Sequence, residues 1–575
     1  MHRTSADPFV TAALRAVVLD TWSASPARFR EDANAEDQLA HGYGGQVLAE
    51  LAANAADAAR AAGVPGELSV ELRDRELRVA NTGAPLTSQG VAALASLRAS
   101  AKRDEGGVGH FGVGFTAVLA LSDRPSLVST TGGVRFSAAD TRRAVAGLGV
   151  AGLDAELRRR AGHVPVLRLP WPTESDQVPP DGFASQVRLP LRDDVDADDV
   201  AAVLSVETAL DLLWALPELT SISMPGFRVH REDGGDGPDG VITIRIDRAD
   251  AGPAGAADAE PELRRFRTAT GTGRLPGDLL AGRPVEERGR DRWRLTWVLP
   301  LDPAGRPDPQ RRTMIGAPTP TAEPLTLPAR LVGSLPVDES RSRIAEGPLA
   351  DHLVGAAARV YRELVLALPG DQRAALLPAG GFPAGPLDGA LHEAVRRELE
   401  RTAFMPGADG APLRPDRALL IPGVAGPAAA RIVEAMPGLV PWPDRADVVD
   451  RLRGLGVSVQ PVTTVPAALA ALERPAAFWQ DVYTALAHAG TEELADLPVP
   501  RRGGGNLIGC RGVLLAVDGP GAVPADLLDR AARLLPGLRL AADGVDHPLL
   551  RRLGAEPADA AALLLDPALA DQIRA

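Results

Sequence analysis

The sequence predicts a layered α/β (α+β) protein with a mostly helical C-terminal region. Three patterns carry that expectation. Helical and strand-like segments alternate over residues 1–195. Strand-like runs return between 196 and 370, ahead of a long amphipathic helix. The stretch 371–575 is helical, with Pro and Gly punctuation. At roughly 150 residues per domain, a chain of 575 residues accommodates three or four such bodies. Boundaries are expected near 195 and 370, giving an N-terminal domain over 1–195, a middle α/β domain over 196–370 and a mixed C-terminal region over 371–575.

Each element has its own warrant. Residues 46–62 are rich in Ala and Leu and lack Gly and Pro, so they read as a helix that Gly63 ends. The short alternations 68–72 and 77–80 read as strands. The Gly-rich run 106–114 leads into the apolar segment 115–121, a loop followed by a helix. Strands return at 126–130 and 187–191. In the middle region 241–246 and 293–299 are strand-like, and 349–368 is an amphipathic helix. The stretches 231–240 and 249–262, rich in Gly, Ala, Pro and Asp, read as loops. The C-terminal region carries a weak internal echo. Phe404-Met405-Pro406 leads through Gly410 to Ala418-Leu419-Leu420-Ile421, and Leu497-Pro498-Val499-Pro500 leads through Gly505 to Gly512-Val513-Leu514-Leu515. It is a candidate for repeated small modules.

Composition narrows the function classes. Asp and Glu number 75 against 62 Lys and Arg, a net charge of −13. Nucleic acid and anionic membranes favour basic surfaces, so neither is the expected partner. Cys510 is the only cysteine, which leaves no intramolecular disulfide and no cysteine-based zinc cluster. Residues 10–19 are broken by Arg15 and followed by Asp20, unlike a cleavable signal. No run of about 18 apolar residues occurs. The expected location is the cytoplasm. Lysine and asparagine are disfavoured throughout: Lys102 is the single lysine, and Asn34, Asn54, Asn81 and Asn506 are the only asparagines. A disfavoured residue that persists marks chemistry that is hard to replace.

Three segments carry that chemistry. In Glu50-Leu51-Ala52-Ala53-Asn54-Ala55-Ala56-Asp57, the residues Glu50, Asn54 and Asp57 sit at i, i+4 and i+7 on one helical face. A carboxylate there can orient and deprotonate water, and an amide oxygen one turn on can ligate Mg²⁺, a hard cation. Taken alone, the octapeptide is more simply a solvated polar face. Next, Asn81-Thr82-Gly83-Ala84-Pro85 ends a strand in a glycine turn, which fits both an ordinary turn and the floor of a purine pocket. Finally, Gly106-Gly107-Val108-Gly109-His110-Phe111-Gly112-Val113-Gly114-Phe115 offers free backbone N–H groups to an anion, with Lys102 just upstream. Its spacing is neither the dinucleotide fingerprint nor a Walker loop.

In this order and at these spacings, the three segments resemble the GHKL ATPases, which include DNA gyrase B, heat-shock protein 90, histidine kinases and mismatch-repair ATPases. The Glu50-to-Ala58 helix and the 109–115 run look most like the heat-shock protein 90 and sacsin branch, and 100–115 is especially close to sacsin-type domains. The resemblance covers about residues 25–195. It implies a Bergerat α/β sandwich, a mixed sheet covered by helices on one face with ATP between. It implies Glu50 as general base, Asn54 as Mg²⁺ ligand, and Asp57, Asn81 and Gly83 in the nucleotide pocket. It further implies Gly109, His110, Phe111, Gly112, Val113, Gly114 and Phe115 as the phosphate cradle, 86–108 as a lid carrying Lys102, and Ser185 beside adenine. Two positions depart from the pattern: Asn81 replaces the adenine-reading Asp, and Pro85 replaces a glycine. Heat-shock protein 90 also draws an arginine from its middle domain. Here Arg341 and Arg343, after Ser334-Leu335-Pro336, are the candidates.

The resulting expectation is a slow Mg²⁺-dependent ATPase acting as a chaperone-like switch on protein clients or partner proteins, with a homodimer allowed. The alternative is a nucleotide-gated binding or scaffold module with negligible turnover. A histidine kinase fits poorly, because only His2 and His41 precede Glu50. A topoisomerase fits worse in an acidic chain with three tyrosines. No nucleophile elbow supports Ser/His/Asp hydrolysis.

Overall fold

The computed structural model describes residues 7–42, 46–96, 114–174, 176–232, 240–248, 260–281, 288, 291–310, 312–317, 319–338, 342–424, 426–487, 490–517 and 522–574. Lys102, the 109–113 glycine run and Arg341 lie outside these residues. The chain divides into two compact units. The first comprises 1–364 with 382–392, and the second 365–381 with 393–575. The architecture is mixed α/β. No helix among the described residues is long and apolar enough to cross a membrane.

Among the described residues, the first unit is built on one 14-stranded sheet. Its strands are β1 (Gly66–Arg73), β2 (Glu76–Asn81), β3 (Ser126–Ser129), β4 (Gly132–Arg135), β5 (Trp171–Pro172), β6 (Ser185–Pro190), β7 (Leu219–Met224), β8 (Phe227–Arg231), β9 (Val241–Arg248), β10 (Glu262–Arg274), β11 (Arg292–Leu301), β12 (Thr313–Ala317), β13 (Thr319–Leu325) and β14 (Arg330–Gly333). They lie side by side in the order β13-β12-β14-β11-β10-β9-β8-β7-β1-β2-β6-β3-β4-β5. The β1–β7 and β12–β14 pairs are parallel and the others antiparallel. The β1–β2 hairpin turns on Asp74 and Arg75, both at positive φ (51° and 57°), the two-residue geometry that matches strand twist. The boundary expected near 195 falls between β6 and the next helix. The strands on either side of it belong to this same sheet.

Helices α1 (Thr11–Ala24), α2 (Pro26–Gly42), α3 (Val47–Ala62), α4 (Ser88–Ala95), α5 (Ala138–Ala146), α6 (Ala151–Arg159), α7 (Ala197–Val203) and α8 (Val206–Ala215) accompany these strands. Helix α3 forms where the unbroken Ala/Leu run predicts it, and Gly63 closes it in the left-handed conformation (φ 65°). It packs on β1, β2 and β7, and also meets β13. Helix α8 packs on β7 and β8, and also on β12, β13 and β14. The far end of the sheet therefore curls back toward the same pair of helices. The largest of its apolar clusters among the described residues runs from Val47 and Leu51 through Leu68, Val79 and Ile222 to Val298 and Val332, and Trp22, Phe29, Val145 and Leu153 belong to a second. The segment expected as a helix after the glycine run is instead a 3₁₀ helix, Gly114–Ala120. Its apolar side chains Phe115, Ala117, Val118 and Leu119 join the core, which suits a short tight turn better than a long helix.

Among the described residues, the second unit is helical with four short two-stranded pairs. Part of its hydrogen-bond pattern occurs twice. Met405–Pro406 pairs with Pro412–Leu413, and Pro498–Pro500 pairs with Asn506–Ile508. The N–H of Ala408 bonds Leu439 O (2.8 Å), and that of Arg502 bonds Leu540 O (2.9 Å). Leu419 then runs parallel to Ser458, and Leu514 parallel to Glu556. The two copies of the pattern begin at the two Pro-containing segments that echo one another in the sequence. Trp479, Val482, Tyr483 and Leu486, at i, i+3, i+4 and i+7 of the intervening helix, are buried in one core with residues of both copies.

Candidate functional site

Helix α3 carries the three polar residues singled out from its sequence. Glu50 and Asp57 are buried and Asn54 is half-buried. Such burial rules out a freely solvated polar face for the two carboxylates. Asp57 is engaged by Arg60 one turn on, and Arg60 also stands 3.8 Å from Glu218. Asp57 thus anchors its own helix.

Two glycines dock against this helix at opposite ends. At Gly114 a Cβ would meet the Glu50 carboxylate, so the backbone lies directly against that side chain. At Gly83 a Cβ would lie 2.5–2.6 Å from the backbone of Ala58 and Ala59, and φ is 109°. The Ala84 N–H then bonds Ala58 O (2.9 Å). Along α3, Glu50 and Ala58 are eight residues apart, roughly 12 Å of helix. Asn54 lies midway between them. Among the described residues, its Oδ1 is buried and has no hydrogen-bond partner. A buried acceptor left unpaired costs about 1–3 kcal/mol, a cost that a donor or a cation at this oxygen would remove.

The strand ends beside Gly83 form a second polar group. Asn81 on β2 is the register partner of Ser185 on β6, which in turn faces Ser129 on β3. Ser185 and Ser129 are buried, with their hydroxyls 3.0 Å apart. Ser129 accepts the Leu86 N–H (3.0 Å) and donates to Ala184 O (2.8 Å). Thr131 donates to Leu86 O (2.7 Å). Asn81 Nδ2 donates to Thr82 O (2.8 Å), which leaves its Oδ1 as the acceptor. Thr82 closes the turn, accepting the Glu67 N–H (2.9 Å).

Among the sequence-chosen residues, the structure therefore gathers Glu50, Asn54, Asp57 and Gly83 with Gly114 on or against α3. It places Asn81 and Ser185 side by side at the adjoining strand ends. Phe115 is a core residue packed at 6.4 Å on Phe136. Arg343 is exposed in the turn after Val337, its N–H 3.4 Å from Asp338 Oδ1. The Ser342 carbonyl accepts the Ala322 N–H (2.7 Å) of β13, the strand that meets α3. Lys102, Gly109, His110, Phe111, Gly112, Val113 and Arg341 lie outside the described residues. Sequence reasoning missed Ser129 and Thr131. A hydroxyl-rich strand end, Ser129-Thr130-Thr131, is the signal that could have drawn notice.

Among the described residues no group of three or more His, Cys, Asp or Glu could hold a metal ion. A cation here would take a single protein oxygen, Asn54 Oδ1, and complete its shell from phosphate and water, as Mg²⁺ does. The orphaned carboxamide oxygen fits that role. The chain matches no known family model, and no curated protein matches it.

Proposed function

We propose that the first unit binds ATP with Mg²⁺ in a Bergerat-type site on α3 and hydrolyses it slowly, as a chaperone-like switch of the heat-shock protein 90 and sacsin type acting on protein partners. One observation carries this reading: Asn54 Oδ1, buried and unpartnered among the described residues, lies between two glycines that sit against α3. The adjoining acceptor on Asn81, beside Ser185, suits the amino edge of a purine. Glu50, held against Gly114, is the group to orient and deprotonate a water. Asn54 is the group to hold Mg²⁺, which when bound neutralises phosphate charge. The acidic chain argues for protein partners over nucleic acid.

The test is a nucleotide titration with and without Mg²⁺, followed by phosphate release. Asn54→Ala should abolish the Mg²⁺ dependence of binding. Glu50→Ala should abolish Mg²⁺-dependent release and leave binding intact. Release that persists unchanged in Glu50→Ala removes that residue from the chemistry. A second reading, a nucleotide-gated scaffold with negligible turnover, is favoured by the neutral amide of Asn81 where the family carries a carboxylate. ATP and ADP binding without release from the unaltered chain would select it.

A further inference from the structure

Helix α2 turns Phe29, Asp32, Ala33 and Glu36 inward, at i, i+3, i+4 and i+7, and all four are buried. Two of the four are carboxylates. Asp32 Oδ2 accepts from Trp22 Nε1 (3.0 Å), and Oδ1 accepts from Arg168 Nη2 (3.0 Å), with Arg28 Nε 3.6 Å from the same oxygen. Arg168 is itself buried, and its Nη1 donates to the carbonyl of Ala95 (2.9 Å), the last residue of α4. Glu36 accepts the N–H groups of Val166 and of Leu167 (3.1 Å), the two residues before Arg168. Helix α2 also packs along the Gly114–Ala120 turn, which in turn packs on α3. One helix thus supports the turn that seats Gly114 against Glu50 and, through Arg168, the end of α4.

We propose that Arg168, with Asp32, is a positioning residue for the Glu50 site. It ties the end of α4 and the Gly114 turn to a common support and so sets the register of Gly114 on Glu50. Its functional consequence rests on the reading of α3 as the nucleotide helix; the mechanical coupling does not. A guanidinium is required because one group must donate at the same time to a carboxylate and to a carbonyl on different elements. An ammonium presents its donors from a single point. The base-facing groups Asn81, Ser129 and Ser185 sit on β2, β3 and β6 and make no hydrogen bond to Arg168 or Asp32, so the inference predicts a rate effect larger than any effect on affinity.

The full-length chain is compared with Arg168→Met and Arg168→Lys. Without nucleotide, amide exchange over 116–122 should quicken about tenfold in Arg168→Met relative to the β2 and β6 amides, with Arg168→Lys between. Unchanged exchange over that turn overturns the coupling. With Mg²⁺ and ATP, phosphate release should slow about 10- to 100-fold in Arg168→Met. The dissociation constant should move by less than about threefold, and lysine should recover part of the rate. Equal losses in rate and affinity, or no loss, overturn the positioning role. A wild type that binds no nucleotide overturns the proposed function instead, and the exchange data then decide the coupling alone. If Arg168→Met leaves Asp32 buried without sufficient compensation and does not fold, Arg168→Met with Asp32→Leu removes both charges and carries the same two readouts.

Discussion

A methyl group at position 114 would run into the buried Glu50 carboxylate. Gly114→Ala must therefore move either the turn or the carboxylate. The stability cost should be about 1–3 kcal/mol, typical of overpacking. Phosphate release should fall by about tenfold or more, since an ångström of misplacement suffices for that. Thermal unfolding and a phosphate-release assay on the same sample separate the two effects, and full activity would show that Glu50 tolerates displacement. Gly83→Ala is the contrasting case. It meets backbone at Ala58 rather than a side chain and also violates a positive φ, so its effect should fall mainly on stability. Both glycines were legible as motif members in the sequence. That each lies against α3 was not, because glycine spacing says nothing about what the backbone approaches. Glu50, Asn54 and Asp57 were legible as one face from their spacing alone. The pairing of Asp57 with Arg60 was also within reach, as an i, i+3 pair of opposite charge.

At the scale of the element, α2 shows where pattern reading stops. The stripe of Phe29, Asp32, Ala33 and Glu36 can be read from the sequence, but carboxylates in such a stripe imply partners that local sequence cannot name. Arg168 lies 136 residues away from Asp32. Burial pushes the Glu36 carboxyl up to about 7, against the opposing pull of the Val166 and Leu167 N–H groups and the Arg168 charge. A carboxyl raised in the folded state binds more protons there than in the unfolded chain. Stability should therefore decline as pH rises from about 4.5 to about 7 and level off above, by at most on the order of 3 kcal/mol. Glu36→Gln should flatten that window, as read from midpoints of chemical denaturation at several pH values. A slope that survives the substitution assigns it to another group. The 3₁₀ turn at Gly114–Ala120, expected as a regular helix, shows the same limit: its apolar run was visible, but its shape follows from packing against both α2 and α3.

At the scale of the whole chain, the continuity of the first unit's sheet makes a prediction that a boundary near 195 would reverse. Strand β1 lies between β2 and β7, and its Leu68 pairs with Ile222, beyond that boundary. Leu210, Leu213, Leu219 and Ile222 are 0–4% exposed and share a core with Leu51 of α3, Val70 and Val79. A fragment ending at 195 loses those four side chains and leaves one edge of β1 unpaired. At about 1.5–3 kcal/mol for each buried aliphatic, the loss is as large as the net stability of a typical domain. The 1–195 fragment should therefore show no cooperative melt by circular dichroism and no nucleotide binding, although it contains the α3 residues, Gly83, Gly114 and Ser185. The intact chain, under the same conditions, should melt cooperatively, and ATP should raise the midpoint of that transition. A fragment that both melts cooperatively and binds nucleotide would show that β7 and α8 are additions to a self-sufficient domain, and that the α3 site needs only the β1–β6 half of its sheet.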